Sequence, residues 1–331
     1  MTNMDYLKLL VDEIHSATVA IIGEDGHHQT RIIDIMFEKN PYMKGIYPGD
    51  TIVMNCENYF HTRRLKAVQE TYMTQSERRE YLIEYLLKED RKIFRQKMPS
   101  DKEGQENLLH SLMNVRMPKP ASEEFLKVQD EYLKERNAER GITDIADLKP
   151  VSSDERIYIW QGDITTLKCD AIVNACNSQM LGCFAPMHAC IDNFIHTYAG
   201  VELRLKMYEI MQKQGHEEET GKAKITSGYN LPAKYILHTV GPIIQWEVTR
   251  EDEELLASCY RECLKLADQH GVTSIAFCCL STGVFRFPQQ EAARIATQTV
   301  KKYYEDTDSQ MKVIFNVFKD EDLEIYREIL D

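Results

Sequence analysis

Three potential metal ligands, Cys183, His188 and Cys190, lie within eight residues of the sequence. They follow an apolar run that predicts a strand and precede a segment that predicts a helix. Two thiolates and one imidazole, with a fourth position open, are typical of a catalytic zinc site, whereas a structural zinc site uses four protein ligands. The cluster is therefore the candidate metal site. The alternative is that these are three unconnected loop residues.

Polar residues at predicted strand ends form a second candidate site. Asp163 and Asn174 lie at strand ends, where small-molecule sites form in α/β folds. Ser281–Pro288 follows an apolar strand and precedes a helix that starts at Gln289. A Ser-Thr-Gly loop in that position can direct several N–H groups toward a diphosphate. An ordinary β-α turn is the alternative. No G-x-G-x-x-G follows Gly23, so a dinucleotide-binding fingerprint is absent.

The composition limits the classes of ligand. The chain has 331 residues, 43% hydrophobic and 28% charged, which is enough for two domains or one large one with a packed core. A net charge of −13 argues against binding to nucleic acid or to an anionic membrane. We therefore expect backbone N–H groups and helix N-termini to hold any anionic ligand.

The cysteines and the absence of targeting signals predict a cytoplasmic protein. No apolar run reaches the ~20 residues that a membrane span requires, and Met1–Asp12 lacks a signal-peptide pattern. The nine cysteines are then expected to be free thiols or metal ligands rather than disulfides.

Residues 1–72 form an N-terminal extension of uncertain fold. Ala17–Gly23 and Thr30–Met36 predict two strands joined by a Glu-Asp-Gly turn. This hairpin resembles the opening of pyridoxamine-phosphate-oxidase-like flavin barrels, and Asn40–Asp50 resembles a later segment of that family. The middle of such a barrel is missing, so we expect no flavin.

Residues 73–150 predict helices. Thr74-x-x-Glu77 and Ser100-x-x-Glu103 match the capping-box pattern, and Ser122 precedes a third apolar stripe. We expect a small helical bundle packed on the next domain. A partner-docking module is the alternative.

Residues 151–331 alternate between strands and helices, which predicts an α/β domain with a largely parallel or mixed sheet and helices on both faces. The predicted strands are Ile157–Trp160, Ala171–Asn174, Lys224–Ser227, Tyr235–Val240, Ser274–Cys278 and Lys312–Val317. The predicted helices are Cys190–Tyr198, Glu202–Gln214, Glu253–His270, Gln289–Tyr304 and Asp322–Leu330.

Five motifs in this region occur in the order found in macrodomains, a family of ADP-ribose-binding proteins: Gly162–Thr165, Asp170–Asn177, Ile191–His196, His238–Pro242 and Ser281–Phe285. Residues 151–331 resemble that family throughout. The resemblance implies a three-layer α/β/α domain with a mixed sheet.

The loop Gly182–Cys190 stands where the commoner macrodomains have a run of glycines. With its Cys, His and Cys it resembles the zinc-dependent branch of the family, and residues 73–150 resemble the N-terminal extension of that branch. The resemblance implies a zinc-dependent hydrolase that removes mono-ADP-ribose from proteins. Some members of the branch are linked to sirtuin-type transferases.

The resemblance also implies roles for individual residues. Asp163, with Ile164 beside it, corresponds to the carboxylate that accepts from the adenine amino group. Asn174 and Asn177 correspond to amides that face the distal ribose, although a buried Asn can instead tie two segments together. Phe285 is expected near the distal ribose. The expected diphosphate loop consists of Ser281, Thr282, Gly283, Val284 and Phe285.

Other residues leave alternatives open. Asp192 shares a helix face with His196 and either orients a zinc ligand or acts as a helix-start acid. Arg286 stands where many relatives have glycine and is expected either near the phosphates or in solvent. A turn-capping role is the alternative for Asp163.

The expected reaction is hydrolysis of the glycosidic bond between ADP-ribose and a protein side chain, with zinc binding a ribose hydroxyl or a water. Asn177, Cys183, His188 and Cys190 are the expected catalytic group. One alternative is a reader that binds ADP-ribosylated protein and uses zinc structurally. Another is a hydrolase of small ADP-ribose esters.

Overall fold

The computed structural model describes residues 17–22, 28–33, 73–89 and 97–331, and the chain divides into two compact units, Met1–Thr71 and Tyr72–Asp331. In the first unit, β1 (Ala17–Ile22) pairs antiparallel with β2 (His28–Ile33). This pairing confirms the two predicted antiparallel strands, although β2 begins at His28 rather than Thr30, and the predicted turn and residues 34–36 lie outside the described residues. The remaining interpretation of residues 1–72, including Asn40–Asp50 and the flavin-barrel resemblance, lies outside the described residues.

The second unit begins with three helices: α1 (Gln75–Glu89), α2 (Lys102–Val115) and α3 (Glu123–Glu139). We call residues 73–150 the helical region. Val201, at the start of a later helix, belongs to the apolar core that these helices share. The helical region is therefore packed directly on the α/β domain, as expected.

Two of the three predicted helix caps are confirmed. Thr74 N donates to Glu77 Oε2 at 2.7 Å, and Glu77 N donates back to Thr74 Oγ1 at 3.3 Å. Ser122 Oγ accepts from Phe125 N at 3.2 Å.

The predicted cap at Ser100 is wrong. The cap of α2 is Asp101, whose carboxylate accepts from Gly104 N at 2.7 Å. A carboxylate satisfies the same unpaired N–H and also interacts favourably with the positive end of the helix.

The α/β domain contains one seven-stranded mixed sheet, which confirms the predicted α/β fold class. Its strand order is β4-β5-β11-β10-β7-β9-β8. The five central strands run parallel, and β4 and β8 pair antiparallel at the edges. In the described part of the chain, β3 and β6 form a separate two-stranded parallel sheet. The strands are β3 (Thr143–Asp144), β4 (Pro150–Val151), β5 (Asp154–Gln161), β6 (Leu167–Lys168), β7 (Ala171–Cys176), β8 (Ala223–Ser227), β9 (Tyr235–Val240), β10 (Ser274–Phe277) and β11 (Lys312–Val317).

Five helices cover this sheet. They are α4 (Ile191–Ala199), α5 (Val201–Gln214), α6 (Arg250–Gln269), α7 (Gln289–Thr307) and α8 (Asp320–Leu330). Every residue of β10 is buried, as expected for a central parallel strand with both faces covered. None of the described helices is both long and apolar enough to cross a membrane.

Candidate functional site

Residues from four of the sequence motifs lie just beyond the carboxyl ends of the parallel strands. Asp163 follows β5, Asn177 follows β7, Gly241 follows β9 and Ser281 lies in the loop after β10. Because these strands run parallel, their carboxyl ends meet at one edge of the sheet. Crevices at this edge are the usual place for ligands in α/β folds.

The candidate metal ligands come together as one cluster. The ligand atoms of Cys183, His188 and Cys190 lie within 4.8 Å of one another, and Cys183 Sγ is 3.5 Å from His188 Nδ1. Tetrahedral zinc, with bonds of about 2.0–2.3 Å, separates its ligand atoms by roughly 3.3–3.8 Å. Both cysteines are half-buried and His188 is exposed. The donor types and their spacing therefore fit a single zinc ion.

The start of α4 supports the cluster electrostatically. Cys190 is the residue that precedes α4, and its side chain makes no capping hydrogen bond to the helix. Burial raises the pKa of Cys190 to about 12, and the backbone N–H of Asn193, in the first turn of α4, opposes that shift. A helix N-terminus favours negative charge, so α4 is suited to face a thiolate.

Gly182 allows the loop to pass close to a buried histidine. Its φ is +81°, and a Cβ added there would lie 2.8 Å from the ring of His196. Burial holds the pKa of His196 well below its usual value, so the ring is neutral. Glycine is therefore required immediately before Cys183 for both backbone conformation and space.

Asn174 is fully buried and joins two elements. Its Nδ2 donates to Asp192 Oδ1 at 2.8 Å, and its Oδ1 has no partner in the described part of the chain. Burial raises the pKa of Asp192 to about 6, against the opposing effects of the Asn174 hydrogen bond and the Arg204 charge. Asp192 thus lies in the first turn of α4 and binds Asn174, and it makes no hydrogen bond to the three cluster residues.

Asn177 is exposed at the end of β7. Its Oδ1 accepts from the backbone N–H groups of Gln179 and Met180 at 3.1 and 3.2 Å. This local turn is typical of Asn and fixes the orientation of the side chain. Its amide Nδ2 is then the group available to a ligand.

The predicted diphosphate loop is folded by hydrogen bonds that leave the N–H groups of Gly283, Val284 and Phe285 without a partner among the described residues. Thr282 N donates to Cys279 O, Arg286 N to Gly283 O and Phe287 N to Ser281 O. None of these bonds uses the N–H groups of Gly283, Val284 or Phe285. The loop is therefore built to present backbone donors, as an anion site requires. Arg286 is exposed and has a φ of +60°.

Gly241 and Ser281 are in close contact. Ser281 has a φ of +64°, and its buried hydroxyl has no partner within the described residues. A Cβ at Gly241 would lie 2.0 Å from that hydroxyl oxygen. The diphosphate loop can therefore approach β9 only where β9 is followed by glycine.

Asp163 caps a short 3-10 turn, the alternative that the sequence left open. Its Oδ1 accepts from Thr165 N at 2.9 Å, and its Oδ2 accepts from the guanidinium of Arg140. Arg140 also lies 3.6 Å above the ring of Tyr198. The side chain of Ile164 is buried, so only its backbone can reach a ligand. The adenine role of Asp163 stays a prediction.

Two residues at this end of the site were missed. Phe318, directly after β11, is 76% exposed, and its carbonyl accepts from Gln161 in the neighbouring strand. The sequence did contain a signal for Phe318, because an aromatic residue directly follows a predicted parallel strand at the edge where ligands bind. Arg140 carried no such signal, because it belongs to the end of α3 and reaches Asp163 only through the packing of the helical region.

Comparisons with known proteins agree with this geometry. Residues 173–296 match the Macro domain family. A protein of Treponema medium called "Protein-ADP-ribose hydrolase" is 56% identical over 260 residues, which are 78% of this chain and 100% of that protein. A Fusarium oxysporum protein called "Probable bifunctional ADP-ribose hydrolase/ADP-ribosyltransferase" is 41% identical, over 67% of this chain and 40% of the longer Fusarium protein.

Among solved structures, a Trypanosoma brucei macrodomain in complex with ADP-ribose is similar, with a TM-score of 0.52 and 31% identity. The similarity covers 67% of this chain and 95% of that one. This chain belongs to the macrodomain family, as shown by its similarity to the whole Treponema protein, by the Macro domain match and by the site at the sheet edge.

Proposed function

We propose that this protein hydrolyses the bond between ADP-ribose and a protein side chain and releases ADP-ribose. The observation that carries the proposal is the Cys183, His188 and Cys190 cluster, which follows β7 at the same sheet edge as the diphosphate loop. The name of the Treponema relative and the ADP-ribose in the trypanosomal macrodomain support it.

Binding would use the residues along the sheet edge. The unused N–H groups of Gly283–Phe285 suit the diphosphate, and Asp163 suits the adenine amino group. Phe318, which directly follows β11 and whose carbonyl accepts from Gln161 of β5, offers an exposed ring for stacking on the base. These contacts lie away from the scissile bond, so they would hold the distal ribose in a fixed position for reaction.

Zinc is the metal that we propose for the cluster. Held by Cys183, His188 and Cys190, it would act as a Lewis acid and lower the pKa of a bound water to about 7. Two thiolates and an imidazole suit zinc better than they suit magnesium or calcium, which prefer oxygen ligands. Three protein ligands leave a position open, which favours an enzyme over a reader with a structural metal.

The reaction would break the bond between C1″ of the distal ribose and the side-chain atom. Water adds to C1″, and the side chain leaves with a proton, so free ADP-ribose and the unmodified protein result. Asn177, exposed and held by its own turn, would bind the distal ribose through its amide. The nearby Asp192 is buried against Asn174, so we assign it no proton transfer.

We further propose a mono-ADP-ribosylated protein as the substrate, produced in the cytoplasm by a sirtuin-type ADP-ribosyltransferase. The Fusarium relative, named for both a hydrolase and a transferase, supports such a pairing. A reducing compartment would also keep Cys183 and Cys190 available as ligands.

The test is release of ADP-ribose from a mono-ADP-ribosylated protein by the purified chain, by Cys183→Ala and by chelator-treated protein. We expect the variant and the chelated protein to lose turnover while ADP-ribose binding changes much less. Cys169→Ala is the matched control, because Cys169 is a buried thiol whose one hydrogen bond among the described residues is to Ala171 O.

Equal turnover by Cys183→Ala and the parent protein would rule out the zinc mechanism. Binding of ADP-ribose without any release would instead favour the reader. Release from a small ADP-ribose ester but not from modified protein would favour the third hypothesis.

A further inference from the structure

The helical region is bonded to the loop that carries the metal ligands. Asn114, buried at the end of α2, accepts from the backbone N–H of Met187 at 3.1 Å through its Oδ1. Its Nδ2 donates to Thr197 Oγ1 in α4 at 2.9 Å. Met187 has a φ of +56° and immediately precedes His188. One amide of the helical region therefore holds the loop between Cys183 and His188.

A buried cation makes a second connection. Arg204 Nε donates to Leu181 O at 2.8 Å, just before the cluster. Its Nη1 donates to three carbonyl oxygens at the end of α2, those of Met113, Asn114 and Arg116, at 3.1, 2.6 and 2.7 Å. The guanidinium also lies 4.2 Å from the ring centre of Phe184. The end of α2 and the start of the loop are thus fixed to one another.

A third connection runs through Asn193. Its side-chain Oδ1 lies 2.7 Å from His110 Nε2 of α2, and its Nδ2 donates to Ala185 O at 3.0 Å. The three connections reach the loop at Leu181, Ala185 and Met187. They therefore hold its backbone just before Cys183 and at two points between Cys183 and His188.

We propose that Asn114 is a positioning residue for the metal site, so that the helical region is a structural part of that site. A left-handed backbone at Met187 is unfavourable for a residue with a side chain and persists only where its surroundings hold it. Without the Asn114 bond, the Cys183 and His188 ligands lose their fixed separation. This inference rests on the proposed function, because it concerns the metal assigned there.

The test compares Co²⁺ binding by the full-length parent protein, Asn114→Ala and Gln129→Ala. Gln129 is a matched control because its buried Oε1 also accepts a backbone N–H of the α/β domain, that of Val201, at 2.8 Å, whereas its Nε2 donates to Asp130 and not to the loop. The readouts are the sulfur-to-cobalt charge-transfer band, cobalt affinity and ADP-ribose affinity.

We expect Asn114→Ala to weaken cobalt binding about tenfold, the lower end of what loss of a supporting contact costs a metal site. Gln129→Ala should bind cobalt like the parent, although both variants lose thermal stability. Asn114→Asp should recover only part of the affinity, because its carboxylate still accepts from Met187 N–H but cannot donate to Thr197 Oγ1. If Asn114→Ala does not fold, His110→Ala is the replacement variant. It removes the third connection and should also weaken cobalt binding.

The outcomes separate the two proposals. If the parent binds no cobalt, the metal proposal fails and the positioning role fails with it. If the parent binds cobalt and Asn114→Ala binds it equally well, only the positioning role is wrong. A loss of the same size in Gln129→Ala would mean general destabilisation and would also overturn the role.

Discussion

At the residue scale, the back of the site contains a neutral histidine. His238 is fully buried, with Nε2 2.9 Å from Thr226 Oγ1 and Nδ1 3.3 Å from Asn174 Nδ2. The amide of Asn174 donates, so Nδ1 accepts and Nε2 carries the proton. A second proton on Nδ1 would face that amide without an acceptor. Burial of the ring lowers the pKa of His238 to about 3, so the ring is neutral.

This pKa predicts a contribution to acid sensitivity. Between pH 6.5 and 3 the unfolded state binds a proton on His238 that the folded state does not, so stability falls as pH falls. Between pH 7.5 and pH 5.5, the free energy of unfolding of the parent should fall by about 1.4 kcal/mol more than that of His238→Gln. Urea unfolding at both pH values measures this difference.

The comparison is needed because other groups titrate nearby. His196 is also buried and neutral and acts in the same direction, whereas the raised pKa of Asp192 acts in the opposite one. Both are present in parent and variant, so the difference between the two proteins isolates His238. Unfolding free energies that change in parallel from pH 7.5 to pH 5.5 would contradict the prediction.

At the element scale, the loop after β9 and the diphosphate loop are fitted to one another. Ile244 N donates to Phe285 O at 2.8 Å, and Gly241 leaves room for the Ser281 hydroxyl. The two loops therefore behave as one unit, although 40 residues separate Gly241 from Ser281 in the chain.

Gly241→Ala should force the Ser281 hydroxyl and the diphosphate loop apart. Overpacking of this kind typically costs about 1–3 kcal/mol, and we expect ADP-ribose affinity to fall as well. Gly241→Ala/Ser281→Ala should recover most of both losses, because the colliding oxygen is gone. Chemical unfolding and calorimetric titration with ADP-ribose measure the two effects. Additive losses in the double variant would contradict the direct contact.

Many of the elements, and the grouping of Cys183, His188 and Cys190, were predictable because their signals are local. Tyr235–Val240 and Lys312–Val317 are strands at the predicted bounds, since buried parallel strands read as short apolar runs. Cys183, His188 and Cys190 lie within eight residues of the sequence, so a single loop brings their ligand atoms close together.

The supports of the site were not predictable. Asn114 reaches Met187 across 73 residues, and Arg140 reaches Asp163 only once α3 has packed on the domain. Such contacts depend on tertiary packing and leave no periodic pattern in the sequence. Nor could the sequence show that Asn174 would be buried against Asp192.

At the scale of the whole molecule, the helical region and the α/β domain share one compact unit, Tyr72–Asp331. Arg204 and the apolar contact of Val201 join them. The Treponema relative aligns along its whole length with 260 residues of this chain. The described residues assigned to the site all lie within this unit, so we expect the site to form without residues 1–71.

A fragment of residues 72–331 should therefore bind ADP-ribose and cobalt with the affinities of the full chain. A fragment of residues 151–331 should be less stable by at least about 3 kcal/mol, because Arg204 loses three charge-assisted bonds to the end of α2. Chemical unfolding and ligand titration of both fragments test this. Equal stability of the two fragments would contradict the role given to the helical region.

The edge strand β4 has a consequence for behaviour in concentrated solution. It is only two residues long and begins with Pro150, which has no N–H to offer a neighbouring strand. Its register with β5 is also irregular. Short, proline-containing and irregular edges discourage a second molecule from extending a sheet. This side of the domain is thus protected against aggregation by strand addition.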